Sequence, residues 1–242
     1  MKVLYLHIPK TGGTSITKAL RDHPNNVITE QHPVYKKNPK YHHKYHDVIN
    51  FNLSRADHFK NVLGQNAFAK LWKVAIVRNP WDRYVSNWKW LTRRESLYPK
   101  KGWSARGWSG EDGHIEFADF VKQTRPIHTE RFKKMNSGYQ HDQWHLLDQI
   151  KHIVDKNGNI LIDHIGRFEN LQSEFDLICN KSNLNLELPH VNRVGHYSGE
   201  AVEHPPVKIH YSEYYNQELV DIVASRCKAD IEAFNYDYEE KK

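Results

Sequence analysis

Apolar residues come in short dense runs separated by polar turns, and the first run sets the pattern. Residues 3–8, Val-Leu-Tyr-Leu-His-Ile, read as a buried strand. It passes through Pro9, Lys10, Thr11, Gly12 and Gly13 into helical spacing over 14–22, which ends near His23 and Pro24. Residues 27–31 fit a second strand, 54–63 a helix, and the unbroken apolar run 73–77 another buried strand. Pro80 suits a first helical position or the one before it, so 81–91 reads as a helix. Residues 115–123 and 141–148 read as short amphipathic helices. Asn157-Gly158 lies between apolar runs in 150–165, the signature of a hairpin. Residues 171–181 form a further helix. A last one spans 216–234, with Leu219, Ile222, Val223, Cys227 and Ile231 at helical intervals. Strands alternating with helices predict an α/β fold, a central parallel sheet with helical crossovers.

Two segments fall outside this rhythm. Residues 33–45 are basic, aromatic and rich in histidine, too polar for a core, and 99–113 are rich in Gly, Ser and Trp, which suits a surface loop or lid. There is no internal repeat and no long linker.

Composition narrows the class of protein. A chain of 242 residues suits one fairly large domain, or one domain with a small appendage, and is long enough to bury a core, while seven Trp with thirteen Tyr argue against global disorder. The formal net charge of +6, counting seventeen histidines as neutral, describes a surface that attracts anions. Candidates are a phosphorylated cofactor, an acidic glycan, nucleic acid or an anionic membrane. Cys179 and Cys227 stand outside any zinc-ligand pattern; two free thiols in a reducing cytoplasm are expected, with one disulfide as the alternative. No apolar run approaches the roughly 20 residues of a membrane span, and a strand from residue 2 leaves no room for a signal peptide. The expectation is a soluble, cytoplasmic protein.

The first turn carries the most chemistry. A strand, a glycine turn and a helix N-terminus aim several backbone N–H groups at one point, and Lys10, Thr14 and Ser15 add a charge and two hydroxyls. That is a seat for a phosphate-like anion. In a Walker loop the lysine follows the glycines, whereas Lys10 precedes Gly12 and Gly13, so a nucleoside triphosphatase fails on residue order. The plainer alternative is a strand-to-helix turn capped by Thr14 or Ser15. The strand ending at Val77 leads to a second candidate, Arg78, with Ser86 two helical turns further on. Parallel strands open their C-terminal ends on one edge, so Arg78 and the Lys10 turn are placed to grip two phosphates of one ligand. The alternative for Arg78 is an ion pair with Asp82 or another acid. Core packing is the expectation for Trp81 and Trp88.

Those two motifs, His7-Ile-Pro-Lys-Thr-Gly-Gly-Thr-Ser15 and Val77-Arg-Asn-Pro-Trp-Asp-Arg-Tyr-Val-Ser86, give the chain its resemblance to a known family. It resembles the sulfotransferases that use 3′-phosphoadenosine 5′-phosphosulfate, in particular the carbohydrate group with the heparan and chondroitin enzymes. Ile165-Gly-Arg-Phe-Glu-Asn-Leu171, Leu188-Pro-His-Val-Asn192 and the stretch from Tyr214-Tyr215 through Asp230 to Phe234-Asn-Tyr236 look like it too. The resemblance implies a single domain over residues 1–242, with a P-loop-like three-layer fold. It also implies sulfuryl transfer to a hydroxyl, of a saccharide by the nearest group, with no metal and no obligatory nucleic acid. Lys10 would contact the phosphosulfate near its bridging oxygen, with Thr11, Gly12, Gly13, Thr14 and Ser15 around the 5′ phosphate and Arg78 and Ser86 on the 3′ phosphate. Positioned cations and N–H donors would then supply most of the catalysis.

An acceptor hydroxyl needs a proton acceptor within hydrogen-bond reach. Where many bacterial relatives carry a histidine, this chain has Asn52-Leu-Ser-Arg-Ala56, and the heparan-type pattern is matched instead by Tyr41-His-His-Lys-Tyr-His46. His43 and His46 are therefore the candidate bases, with His32 in reserve. Residues 33–45 and 99–113 are the candidate acceptor contacts, since aromatic faces beside Lys and Arg suit sugars and acidic groups, and single-stranded nucleic acid equally. A P-loop-like kinase or a non-catalytic polyanion-binding module remain the competing functions.

Overall fold

The computed structural model describes residues 2–29, 55–97, 116–123, 145–189 and 209–239. The chain divides into two compact units, Met1–Arg78 with Lys151–Lys208 and Asn79–Ile150 with Ile209–Lys242. Residues 33–45 and 99–113, and with them His32, His43 and His46, lie outside the described residues.

The first unit holds a four-stranded parallel sheet in the order β2-β1-β3-β4, formed by β1 (Val3–Leu6), β2 (Val27–Ile28), β3 (Trp72–Val77) and β4 (His164–Arg167). Helices α1 (Gly13–Leu20), α2 (Ala56–Leu63), α3 (Gln65–Ala69) and α7 (Leu171–Ser182) belong to the same unit. The α/β fold read from the alternation of runs is the fold observed. Register pairs Tyr5 with Val74 and Val74 with His164, so alternate residues share a face. Val3, Tyr5, Val74 and Ile76 pack on Ile16 and Leu20 of α1 and on Phe175, Ile178 and Cys179 of α7. Leu4, Leu6 and Ala75 on the other face are fully buried too. Burial on both faces is why β1 and β3 are unbroken apolar runs, and each fully buried Val, Leu or Ile adds about 1.5–3 kcal/mol.

The hairpin that the Asn-Gly turn predicts in 150–165 forms at its tip and goes no further. The turn forms, with Gly158 at φ 84 and the Asp155 carboxylate accepting from the N–H groups of Asn157 and Asn159. Only one antiparallel bridge, Val154 to Ile160, follows it. A helical turn, α6 (Ile150–Ile153), precedes it, and the outgoing arm is recruited beside β3, where the Asp163 N–H bonds the Lys73 carbonyl. A lone two-stranded ribbon is marginal in water, so a fourth strand on a buried sheet wins.

The second unit is helical: α4 (Pro80–Leu97), α5 (Phe117–Gln123), α8 (Gln217–Arg226) and α9 (Lys228–Phe234), with a 3₁₀ turn at Tyr211–Tyr214. Helix α4 starts with Pro80, and the Asn79 side chain accepts from the Trp81 N–H at 3.0 Å while donating to the Asp237 carbonyl. Trp81, Tyr84, Val85, Phe117, Phe120, Leu219 and Val223 form the core, and Trp88 packs against it, as expected for both tryptophans. The helix predicted over 216–234 breaks at Cys227. Its N–H still reaches Val223 and its carbonyl still accepts from Ile231, so the bend leaves the apolar spacing intact and invisible to periodicity. Cys179 and Cys227 are buried free thiols, one in each unit.

Residues 145–148, predicted helical, form a turn, because their carbonyls face a guanidinium. Arg83, 2 % exposed at its side chain, donates to the carbonyls of Leu147 at 2.9 Å and His145 at 2.7 Å, and lies 3.9 Å from Asp230. Asp230 also accepts from the backbone N–H groups of Gln149 and Ile150. Burial pushes the Asp230 carboxyl up to about 6, against the pull of Arg83 and of those N–H groups. A carboxyl raised above its unfolded value of about 3.9 holds its proton longer in the folded state, so its contribution is complete below about pH 4. That contribution is lost as pH rises through about 6. Melting temperature should therefore fall more steeply between these values in the wild type than in Asp230→Asn, and parallel curves would contradict the assignment. Among the described residues no helix is long and apolar enough to cross a membrane.

Candidate anion-binding site

In the first unit the C-terminal ends of β1, β3 and β4 open on one edge, and each runs directly into a residue of the candidate site. After β1 the chain turns through two left-handed residues, Lys10 at φ 69 and Gly12 at φ 80. The buried Thr11 between them ties its hydroxyl to the Ile8 carbonyl at 2.8 Å, holding the turn against the strand. Gly12 is the N-cap of α1 and has no side chain to close the helix end; Thr14 and Ser15 lie inside the helix, not at the cap position. Thr14 is exposed, while Lys10 and Ser15 are half-buried. A helix start of this kind favours a negative group through its N–H groups and its dipole.

Neither glycine is replaceable on geometric grounds. A Cβ on Gly12 would lie 2.8 Å from the Leu171 Cδ2 and 3.1 Å from the Phe168 ring, besides the cost of positive φ. A Cβ on Gly13 would fall 2.0 Å from the His7 Cδ2.

Arg78 comes from the end of β3. Its Nη1 donates to the Lys10 carbonyl at 3.1 Å, and its guanidinium carbon lies 3.9 Å from the centre of the Phe168 ring, which follows β4. A guanidinium stacked on a ring and tethered to a carbonyl is pre-aimed, with less freedom to lose when it meets an anion. This bond ties the end of β3 to the backbone of the Lys10 turn, 68 residues away in the chain. Lys10, Thr11, Gly12, Gly13, Thr14, Ser15 and Arg78 are thus brought together. Ser86 lies half-buried on α4 in the second unit.

Two residues of this edge were not assigned a role from the sequence. Phe168 stands in the quoted stretch around Gly166, but its contact with Arg78 depends on β4 pairing beside β3, which no local pattern announces. His7 stands in the first motif, and the missing space at Gly13 reveals where its ring lies. Behind β4, His164 Nε2 is 2.7 Å from Glu174, whose other oxygen accepts from the Arg167 N–H at 3.3 Å, fixing the strand that delivers Phe168 to the first turn of α7.

No curated protein and no solved structure matches the chain. A family model does, the one described as the sulfotransferase family, over residues 1–237. That span takes in the glycine turn, the arginine that reaches it and the ring behind them, and it is on this match that the chain belongs to the sulfotransferase family, an enzyme of sulfuryl transfer.

Proposed function

We propose that the enzyme takes its sulfuryl group from 3′-phosphoadenosine 5′-phosphosulfate and passes it to an acceptor hydroxyl, that of a saccharide. The observation that carries this reading is the 3.1 Å bond from Arg78 to the Lys10 carbonyl, which joins the end of β3 to the glycine turn. Lys10 sits at the bridging oxygen of the donor, where charge develops as the sulfur–oxygen bond breaks. The N–H groups of the Gly12–Gly13 turn, with Thr11, Thr14 and Ser15, hold the 5′ phosphate, and Arg78 holds the 3′ phosphate. The acceptor oxygen bonds to sulfur, the bridging oxygen leaves with adenosine 3′,5′-diphosphate, and a histidine takes the acceptor proton. His43 and His46 are the candidates, then His32. Fixed cations and N–H donors stabilise the spread of charge without reorganising during transfer.

Titration calorimetry with adenosine 3′,5′-diphosphate tests the reading. The wild type should bind with a dissociation constant of about 1 μM or tighter, and Lys10→Ala and Arg78→Ala should each weaken binding. Unaltered affinity in both variants removes the proposal. Magnesium-dependent use of ATP would favour a kinase, and salt-sensitive binding of oligonucleotides indifferent to Lys10 would favour a polyanion-binding module.

A further inference from the structure

Gly13 presents a puzzle that Gly12 does not. It is buried and is the first residue of α1, yet its φ is not among the positive values, so nothing in its backbone calls for glycine. Alanine would favour the helix by about 1 kcal/mol. What glycine supplies there is room. The position its Cβ would occupy lies 2.0 Å from Cδ2, 2.4 Å from Nε2 and 2.6 Å from Cγ of His7, so the imidazole packs directly against the Gly13 Cα. On the neighbouring residue, Phe168 and Leu171 close on Gly12. Each glycine of the turn is thus backed by a side chain from a different element.

From this packing we infer that His7 is a positioning residue for the reaction. Its ring, standing just past the end of β1, braces Gly13 and so sets the direction of the N–H groups that open α1. The inference rests on the proposed seating of the donor phosphate at this turn. A turn braced on one side only would keep its fold while its N–H groups drifted from the aim the phosphate needs, and displacements of about 1 Å in such sites can cost on the order of 100-fold in rate.

A double-mutant cycle of His7→Ala and Gly13→Ala tests it, read by titration with adenosine 3′,5′-diphosphate, by donor KM and kcat, and by thermal melting. Gly13→Ala alone should weaken binding on the order of 100-fold, since the methyl group and the ring cannot share the space. His7→Ala alone should raise Kd and KM on the order of tenfold. In the His7→Ala background the Gly13 methyl group should cost little, because the ring it would strike is gone, and His7→Phe, which restores a flat ring, should recover most of the affinity. A purely structural role would lower the melting temperature of His7→Ala and leave KM of the folded enzyme unchanged. The proposal fails if Gly13→Ala is harmless beside His7, if it is equally damaging without His7, or if His7→Ala leaves Kd and KM as they were. A wild type that binds no diphosphate sinks the donor reading instead, and the melting cycle still reports whether His7 and Gly13 are coupled.

Discussion

Lys10→Ala is expected to lower kcat on the order of 10²–10³-fold, the loss typical when one preorganised partner of a developing anion is removed. Arg78→Ala is expected to fail differently. In the proposed seating Arg78 holds a phosphate remote from the sulfur, so its grip is equal in the ground and transition states, and its loss falls on Kd and KM with kcat largely spared. A hydrogen bond to a charged group is worth about 1.5–3 kcal/mol, which corresponds to roughly 10–100-fold in Kd. Arg78→Lys should recover little of this. An ammonium can neither stack flat on Phe168 nor use one nitrogen on the Lys10 carbonyl while offering the rest of a fork to a ligand. Steady-state kinetics with varied donor, beside direct titration, separate the two effects. An Arg78→Ala enzyme with unchanged KM and a collapsed kcat would reverse the assignment of the two residues.

Arg83→Met should produce the largest change in stability, about 3–5 kcal/mol, although Arg83 lies outside the proposed site. The substitution keeps most of the side chain's volume and removes the guanidinium, leaving the Leu147 and His145 carbonyls without that donor and Asp230 without its cation. With Arg83 gone, the Asp230 proton is held still more tightly in the folded state, so the deficit against wild type should shrink on acidification from neutral pH. Urea unfolding midpoints at pH 7.5 and pH 5, conditions chosen to bracket the value of about 6, read the effect and its sign. Adding Asp230→Leu to Arg83→Met should restore part of the stability, because the pair is expensive to break and inexpensive to remove whole. A deficit that grows toward acid would mean that Asp230 is not the group left exposed to the loss.

Both predictions turn on how much of a residue's role is local. The run Val3 to Ile8, the turn through Lys10 and Gly12, and the helix from Gly13 are consecutive, so strand, turn chemistry and helix start could all be read in order. The same holds for β3 and Arg78, and for Pro80 opening α4. The hairpin at Asn157-Gly158 forms but stays short, because the turn is local while the partner of the outgoing arm is not: β3 lies about 90 residues away in the chain, and its buried edge takes over that arm. The helix expected over 141–148 gave way, in its described part, to a turn for the same reason, since Arg83 draws carbonyls that a helix would have used internally.

By itself the sequence determined that this is a parallel α/β protein, that a glycine turn and an arginine stand at strand ends, and that both suit anions. These are properties of spacing, and spacing is local. Only the tertiary structure decided that Arg78 reaches the Lys10 carbonyl 68 residues away, that Phe168 underlies it, and that His7 fills the space Gly13 leaves. Such contacts depend on which strand lies beside which and in what register, and that order is settled by burial of the whole sheet.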